Sequence, residues 1–107
     1  MQTINFDNVV AIVPAAGLGT RLGFDIPKAL VPLKGKPLVL RSAQALKQAG
    51  IHKIAVCAPE THLSSFTTLL APLEVYVISG GSSRQESVLK GLSFIEGLSL
   101  NAEIVLV

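Results

Sequence analysis

Four short apolar runs, rich in β-branched residues, constrain this chain more than any other feature. They lie at residues 8–14 (NVVAIVP), 53–58 (KIAVCA), 74–78 (EVYVI) and 103–107 (EIVLV). The first is continuously apolar from Val9, as expected of a strand covered on both faces, and the other three repeat the type. Segments with helical spacing separate them. Residues 38–49 put Leu38, Ala45, Leu46 and Ala49 near one face, with Pro37 at the helix start and Gly50 just past its end. Residues 61–70 form a shorter candidate, entered after Pro59 and closed by Pro72. Residues 84–98 set Val88, Leu92 and Ile95 on one stripe, with Ser83 as N-cap and Glu86 as its capping-box partner.

Strand and helix alternate four strands long, the signature of parallel right-handed crossovers. The expected fold is α/β: a three-layer, doubly wound, mostly parallel sheet. Such sheets bind ligands outside the carboxyl ends of their strands, where the strand order reverses. Two loops fall at strand ends, one beginning at Pro14 and one at Ser79.

With 107 residues the chain fits one domain. Half of it is hydrophobic and 15% is charged, which excludes disorder. A net charge of +2 is too small to imply a nucleic-acid polymer or an anionic membrane. The distribution says more: Arg21, Lys28, Lys34, Lys36, Arg41, Lys47 and Lys53 are seven of the nine cations, and from Arg21 to Lys53 the only acid is Asp25. That bias suits a small anionic ligand or a basic solvated face. Cys57, the only cysteine, sits in an apolar run and reads as a buried, reduced thiol. His52 and His62 are isolated, so no metal-ligand spacing exists. Residues 1–8 lack the cations of a signal peptide, and no apolar run is long enough to cross a bilayer. A cytoplasmic protein is the default expectation.

The loop after the first strand reads AAGLGTR from Ala15 to Arg21, and Lys28 follows Pro27 a little further on. Small side chains let backbone amides approach a ligand, and Gly17 and Gly19 can turn successive N–H groups inward as an anion nest. A P-loop needs GK[ST], which is absent. A dinucleotide fingerprint needs a third glycine where Leu22 stands, and an acid further on for the ribose. Instead the loop is followed by an Arg, a planar fork for two phosphate oxygens, and a Lys, a compact charge stiffened by Pro27. Two cations around one phosphorus would stabilise charge that builds on the equatorial oxygens during displacement. Residues 80–84 (GGSSR) open the third helix with free amides and hydroxyls suited to polar ligand edges or phosphate. Ser87 lies one turn beyond Ser83 and can face the same cleft. Glu86 and Lys90 read as an i,i+4 pair on the helix surface.

At these residues the sequence resembles the nucleotidylyltransferase superfamily, whose signature is roughly AAGxGxR followed by PK. Its second motif, GGSSRQESVLKGL, is similar to the GGxxRxxSVxxGL of the 2-C-methyl-D-erythritol 4-phosphate cytidylyltransferases. The resemblance implies a Rossmann-like nucleotidyltransferase fold, cut after its fourth strand, with residues 1–107 as the N-terminal nucleotide-binding part. It implies cytidylyl transfer from CTP to a polyol phosphate, 2-C-methyl-D-erythritol 4-phosphate, with pyrophosphate released, in the non-mevalonate route to isoprenoids. Arg21 and Lys28 match the catalytic cations. Pro14, Ala15, Ala16, Gly17, Leu18, Gly19, Arg21, Lys28, Gly80, Gly81, Ser82, Arg84 and Ser87 match the nucleotide-binding set. Ala29 stands where many members have Gln, and Ser82 where many have Asp. If the carboxylate at that position reads the base, nucleotide choice is open.

In the family the fourth strand runs into an HDAARP-like segment whose Asp binds Mg²⁺. No such segment occurs within residues 1–107, so the metal ligand is expected beyond residue 107 and no metal-binding residue is assigned in this chain. The family's acceptor contacts and dimer arm likewise lie in a second half, which implies a homodimeric whole enzyme. The 107 residues alone are expected to have little transferase activity, and the apolar strand at residues 103–107 is expected near a sheet edge, where it invites self-association. Two alternatives remain at this point: a sugar- or polyol-phosphate nucleotidylyltransferase of another specificity, and a non-catalytic nucleotide-binding module.

Overall fold

A computed structural model of the chain describes residues 9–16, 30, 32–33, 35–98 and 103–106. Strand β1 (Val9–Pro14) is followed by two very short strands, β2 (Pro32–Leu33) and β3 (Lys36–Pro37), that pair antiparallel in a small hairpin. The sequence pattern does not announce this hairpin. Gly35, at φ 83°, supplies the left-handed backbone of its turn, and Pro32 and Pro37 sit opposite each other, where a missing N–H costs little. Then come α1 (Leu38–Gln48), β4 (Lys53–Ala58), α2 (Leu63–Leu70), β5 (Tyr76–Ser79), α3 (Arg84–Gly97) and β6 (Glu103–Leu106).

The main sheet has the order β5-β4-β1-β6, and all three pairings are parallel. The chain moves outward from β1 to β4 to β5, then returns to the other side of β1. Right-handed crossovers therefore place α1 and α2 on one face and α3 on the other. The core records this. Val9, Ala11 and Val13 of β1 pack with Val39 and Ala43 of α1 and Phe66 and Leu70 of α2, whereas Val10 and Ile12 pack with Ile95 of α3. The three-layer doubly wound architecture is as the sequence implied.

Element boundaries differ from expectation in instructive places. The third strand begins at Tyr76, because Pro72 sits in a 3₁₀ turn (Ala71–Leu73) that Glu74 closes in the left-handed conformation. The segment after Pro59 opens with a 3₁₀ turn (Glu60–His62), and α2 starts only at Leu63. On α1 the buried residues are Val39 and Ala43, with Leu46 half-buried, while Ala45 and Ala49 are exposed. The expected face is thus off by roughly a quarter turn; in the opening Leu38-Val39-Leu40 triplet apolarity alone does not choose a side. On α3 the inward stripe is Ser87, Gly91 and Ile95, with Val88 and Leu92 only half-buried. A side chain at Gly91 would crowd Ile12 and Cys57: an added Cβ falls 3.0 Å from Ile12 Cγ2 and 3.3 Å from Cys57 Sγ. The helix lies close to the sheet because the residue facing it is small.

Strand β6 occupies the edge beside β1 and leaves Ile104 and Leu106 about half exposed, at 41% and 50%. Among the described residues no helix is long and apolar enough to cross a membrane.

Candidate nucleotide site

The carboxyl ends of β1, β4 and β5 are level. Pro14 registers with Cys57, and Ala58 with Ser79. Beyond them the ladder runs one step further on each side, Ala15 N–H donating to the Cys57 carbonyl at 2.8 Å and Gly80 N–H to the Ala58 carbonyl at 2.7 Å. Strands β1 and β5 are separated by β4, a gap of about 10 Å at ordinary strand spacing. Their loops nevertheless meet over the end of β4. A Cβ placed on Gly80 would lie 2.9 Å from Ala16 Cβ, 2.9 Å from Ser87 Oγ and 3.3 Å from the Ala58 carbonyl oxygen. Only small residues permit this approach, and Ala15, Ala16, Ala58, Gly80 and Gly81 are all small. The order reversal itself lies between β1 and β6, so the second glycine loop reaches the site from the outer strand.

Ser87 is the one buried polar residue among those described, at 1% exposure. Its Oγ accepts from Gly81 N–H at 2.9 Å, so it is turned into the base of the loop. Its carbonyl accepts from the Cys57 thiol at 3.3 Å. Burial pushes the Cys57 thiol up from its ordinary range, keeping it protonated and able to donate. Cys57 therefore ties the base of both loops together, its carbonyl to Ala15 and its thiol to the first turn of α3. Sequence reasoning identifies it only as a core thiol, and no local pattern signals the second role.

The start of α3 follows the expected capping logic: Ser83 Oγ accepts from Glu86 N–H at 3.1 Å. The Glu86 carboxylate, however, accepts from the Ser82 hydroxyl at 2.9 Å. Lys90 Nζ donates to the Gly80 carbonyl at 3.2 Å. Glu86 and Lys90 thus hold the loop, a role beyond the helix-surface pair expected of them. The sequence also implied that the loop presents free amides and hydroxyls. In the structure the Gly80 and Gly81 amides and the Ser82 and Ser83 hydroxyls all have partners within the protein. What the two glycines provide instead is close packing, since the Cβ that each lacks would strike Ala16 and Ser87 in one case and Glu86 in the other.

Of the residues expected at the site, Pro14, Ala15, Ala16, Gly80, Gly81, Ser82, Arg84 and Ser87 are described, with Ser82 and Arg84 exposed and Ala15 buried. Gly17, Leu18, Gly19, Arg21 and Lys28 lie outside the described residues. Among the described residues no three His, Cys, Asp or Glu side chains gather into a metal-holding group.

The family model for 2-C-methyl-D-erythritol 4-phosphate cytidylyltransferase matches residues 9–107. The chain belongs to that family. It is 41% identical over 103 residues to the cytidylyltransferase of this description from Saccharopolyspora erythraea, covering 94% of this chain and 46% of that protein. It is 45% identical over 100 residues to the one from Rhodococcus jostii, covering 92% and 42%. The chain therefore spans less than half the length of these curated relatives. Among solved structures, the CTP:phosphocholine cytidylyltransferase of Streptococcus pneumoniae superposes with a TM-score of 0.66 at 29% identity, over 92% of this chain and 44% of that one. A 4-diphosphocytidyl-2C-methyl-D-erythritol synthase gives a TM-score of 0.60 at 23% identity, over 97% and 46%, a likeness of fold.

Proposed function

We propose that this family member is the nucleotide-binding part of an enzyme that transfers the cytidylyl group of CTP to 2-C-methyl-D-erythritol 4-phosphate. The observation that carries the reading is the meeting of Ala16 with Gly80 over the end of β4, which joins both family motifs into one rim. In the reaction a phosphate oxygen of the acceptor bonds to the α-phosphorus of CTP. The bond from that phosphorus to the oxygen bridging the β-phosphate breaks, and its electron pair leaves with pyrophosphate.

Each loop has a distinct part in this reading. The Gly80–Gly81 surface receives the flat base, with Ser87 acting through Gly81 to fix its height. The loop beginning at Ala15 wraps the phosphates. Arg21 and Lys28, on the family pattern, stabilise charge that accumulates on the equatorial oxygens at the α-phosphorus. Mg²⁺ accompanying the triphosphate, a homodimeric whole enzyme and a cytoplasmic location complete the proposal. Among the described residues no three His, Cys, Asp or Glu side chains gather into a metal-holding group, and none of these residue roles depends on the metal.

Calorimetric titration with CTP and with UTP tests the reading. CTP is expected to bind more tightly, and equal affinities, or no binding of either, would overturn the cytidine assignment. With this segment placed in a complete family member, Lys28→Ala is expected to lower kcat about 10²–10³-fold. A loss confined to nucleotide affinity would favour a binding module instead.

A further inference from the structure

Helix α3 holds three consecutive loop residues with three side chains drawn from two successive turns. Lys90 Nζ reaches the Gly80 carbonyl at 3.2 Å, Ser87 Oγ takes the Gly81 amide at 2.9 Å, and Glu86 Oε2 takes the Ser82 hydroxyl at 2.9 Å. Positions 86, 87 and 90 share one side of the helix, so a single rigid element sets all three contacts. Glu86 also lies flat against the loop, and a Cβ added at Gly81 would collide with its Cβ, Cγ and Cδ. Its charge sits in the first turn, where the helix dipole favours an acid.

A pair of glycines is the most costly kind of backbone to order. Unbraced, residues 80–82 would sample many shapes, and a ligand would have to freeze one of them out of its own binding energy. Ser87 belongs to the family's nucleotide set. Lys90 and Glu86 do not. We propose that Lys90 and Glu86 are positioning residues for nucleotide binding, fixing the Gly80 carbonyl and the Ser82 hydroxyl so that the loop is ready-shaped before the ligand arrives. Neither has to touch the nucleotide. The inference rests on the reading of this loop as a nucleotide subsite.

The test combines two readouts on the full chain: hydrogen exchange of the Gly81 amide without ligand, and the CTP dissociation constant by calorimetry. Lys90→Met and Glu86→Ala are each expected to speed Gly81 exchange and weaken CTP roughly three- to tenfold. Lys90→Arg and Glu86→Gln, which keep a donor and an acceptor, are expected to restore most of both. Ser93→Gly, on the exposed side of α3, serves as control; it lowers the melting temperature but leaves CTP affinity unchanged. Unaltered exchange and affinity in Lys90→Met and Glu86→Ala overturn the inference alone, as does an equal loss of affinity in Ser93→Gly. Failure of the unmodified chain to bind CTP overturns the subsite reading, and this inference with it.

Discussion

Replacing Gly80 by alanine adds one methyl group at the point where the two loops touch. Among the described residues the positive-φ glycines are Gly35 and Gly50, so Gly80 has a backbone conformation open to alanine, and its substitution probes packing alone. The new carbon would stand 2.9 Å from both Ala16 Cβ and Ser87 Oγ, closer than carbon and oxygen atoms normally approach a methyl group, and 3.3 Å from the fixed carbonyl of Ala58. None of these neighbours is the end of a flexible side chain. Relief requires the loops to part or Ser87 to release Gly81, and overpacking of this kind costs about 1–3 kcal/mol. For a domain of this size each kcal/mol lowers Tm by about 4–8 °C. Gly80→Ala should therefore lower Tm by roughly 4–24 °C in a thermal melt and weaken CTP at least as much as it weakens folding. Ala16→Gly on top of it reopens one side of the contact. A double-mutant cycle should return a favourable coupling of about 1 kcal/mol. A Gly80→Ala chain that melts with the parent and binds CTP equally well would show that the loops do not meet as described.

Three further outcomes follow from the same geometry. Ser83→Ala removes the cap on α3 and should cost about 1 kcal/mol in urea unfolding, with Ser83→Asp close to neutral; an unchanged midpoint in the alanine variant would contradict the capping role. Gly91→Val should destabilise by about 1–3 kcal/mol despite a better helix former, because Ile12 and Cys57 are fully buried beneath it; a gain in stability would mean α3 rides higher on the sheet. For Cys57 the folded thiol ionises at higher pH than the unfolded one. Its contribution is complete below the unfolded thiol's range and is lost as pH rises towards the folded value, at up to about 1.4 kcal/mol per pH unit. Between pH 7 and 10, stability should fall more steeply in the parent than in Cys57→Ala, and parallel curves would refute this.

How legible the molecule is from residues alone varies by element, for physical reasons. Strand β4 is legible to its observed limits because Gly50 and Pro59 bracket a run that is buried from Ile54 to Ala58. Its neighbour β5 starts later than its sequence suggests, because Glu74 and Val75 look strand-like until the turn at Pro72 is seen to need a left-handed residue. The α1 face is ambiguous where apolar residues surround the helix start, and there tertiary packing makes the choice. At the site, the glycine motifs and Ser87 are visible as pattern. The contacts of Lys90, Glu86 and Cys57 are not, because each depends on how a distant backbone segment lies across the helix. A carbonyl carries no signature in a sequence.

The strand order has one more consequence. Joining β1 to β6 brings Val9 beside Glu103, almost the whole length of the chain, yet closing the longer loop costs only a fraction of a kcal/mol more than closing the shorter one to β4. What separates the two neighbours is shelter: β4 is enclosed on both faces, whereas β6 shows water its isoleucine and a leucine. Transient opening should therefore begin at β6 and spread inward, with its amides exchanging first. The closest contact of the nucleotide rim, Ala16 with Gly80, stands over the end of β4, two strands in from β6, so opening that starts at β6 has to cross β1 before it reaches that contact.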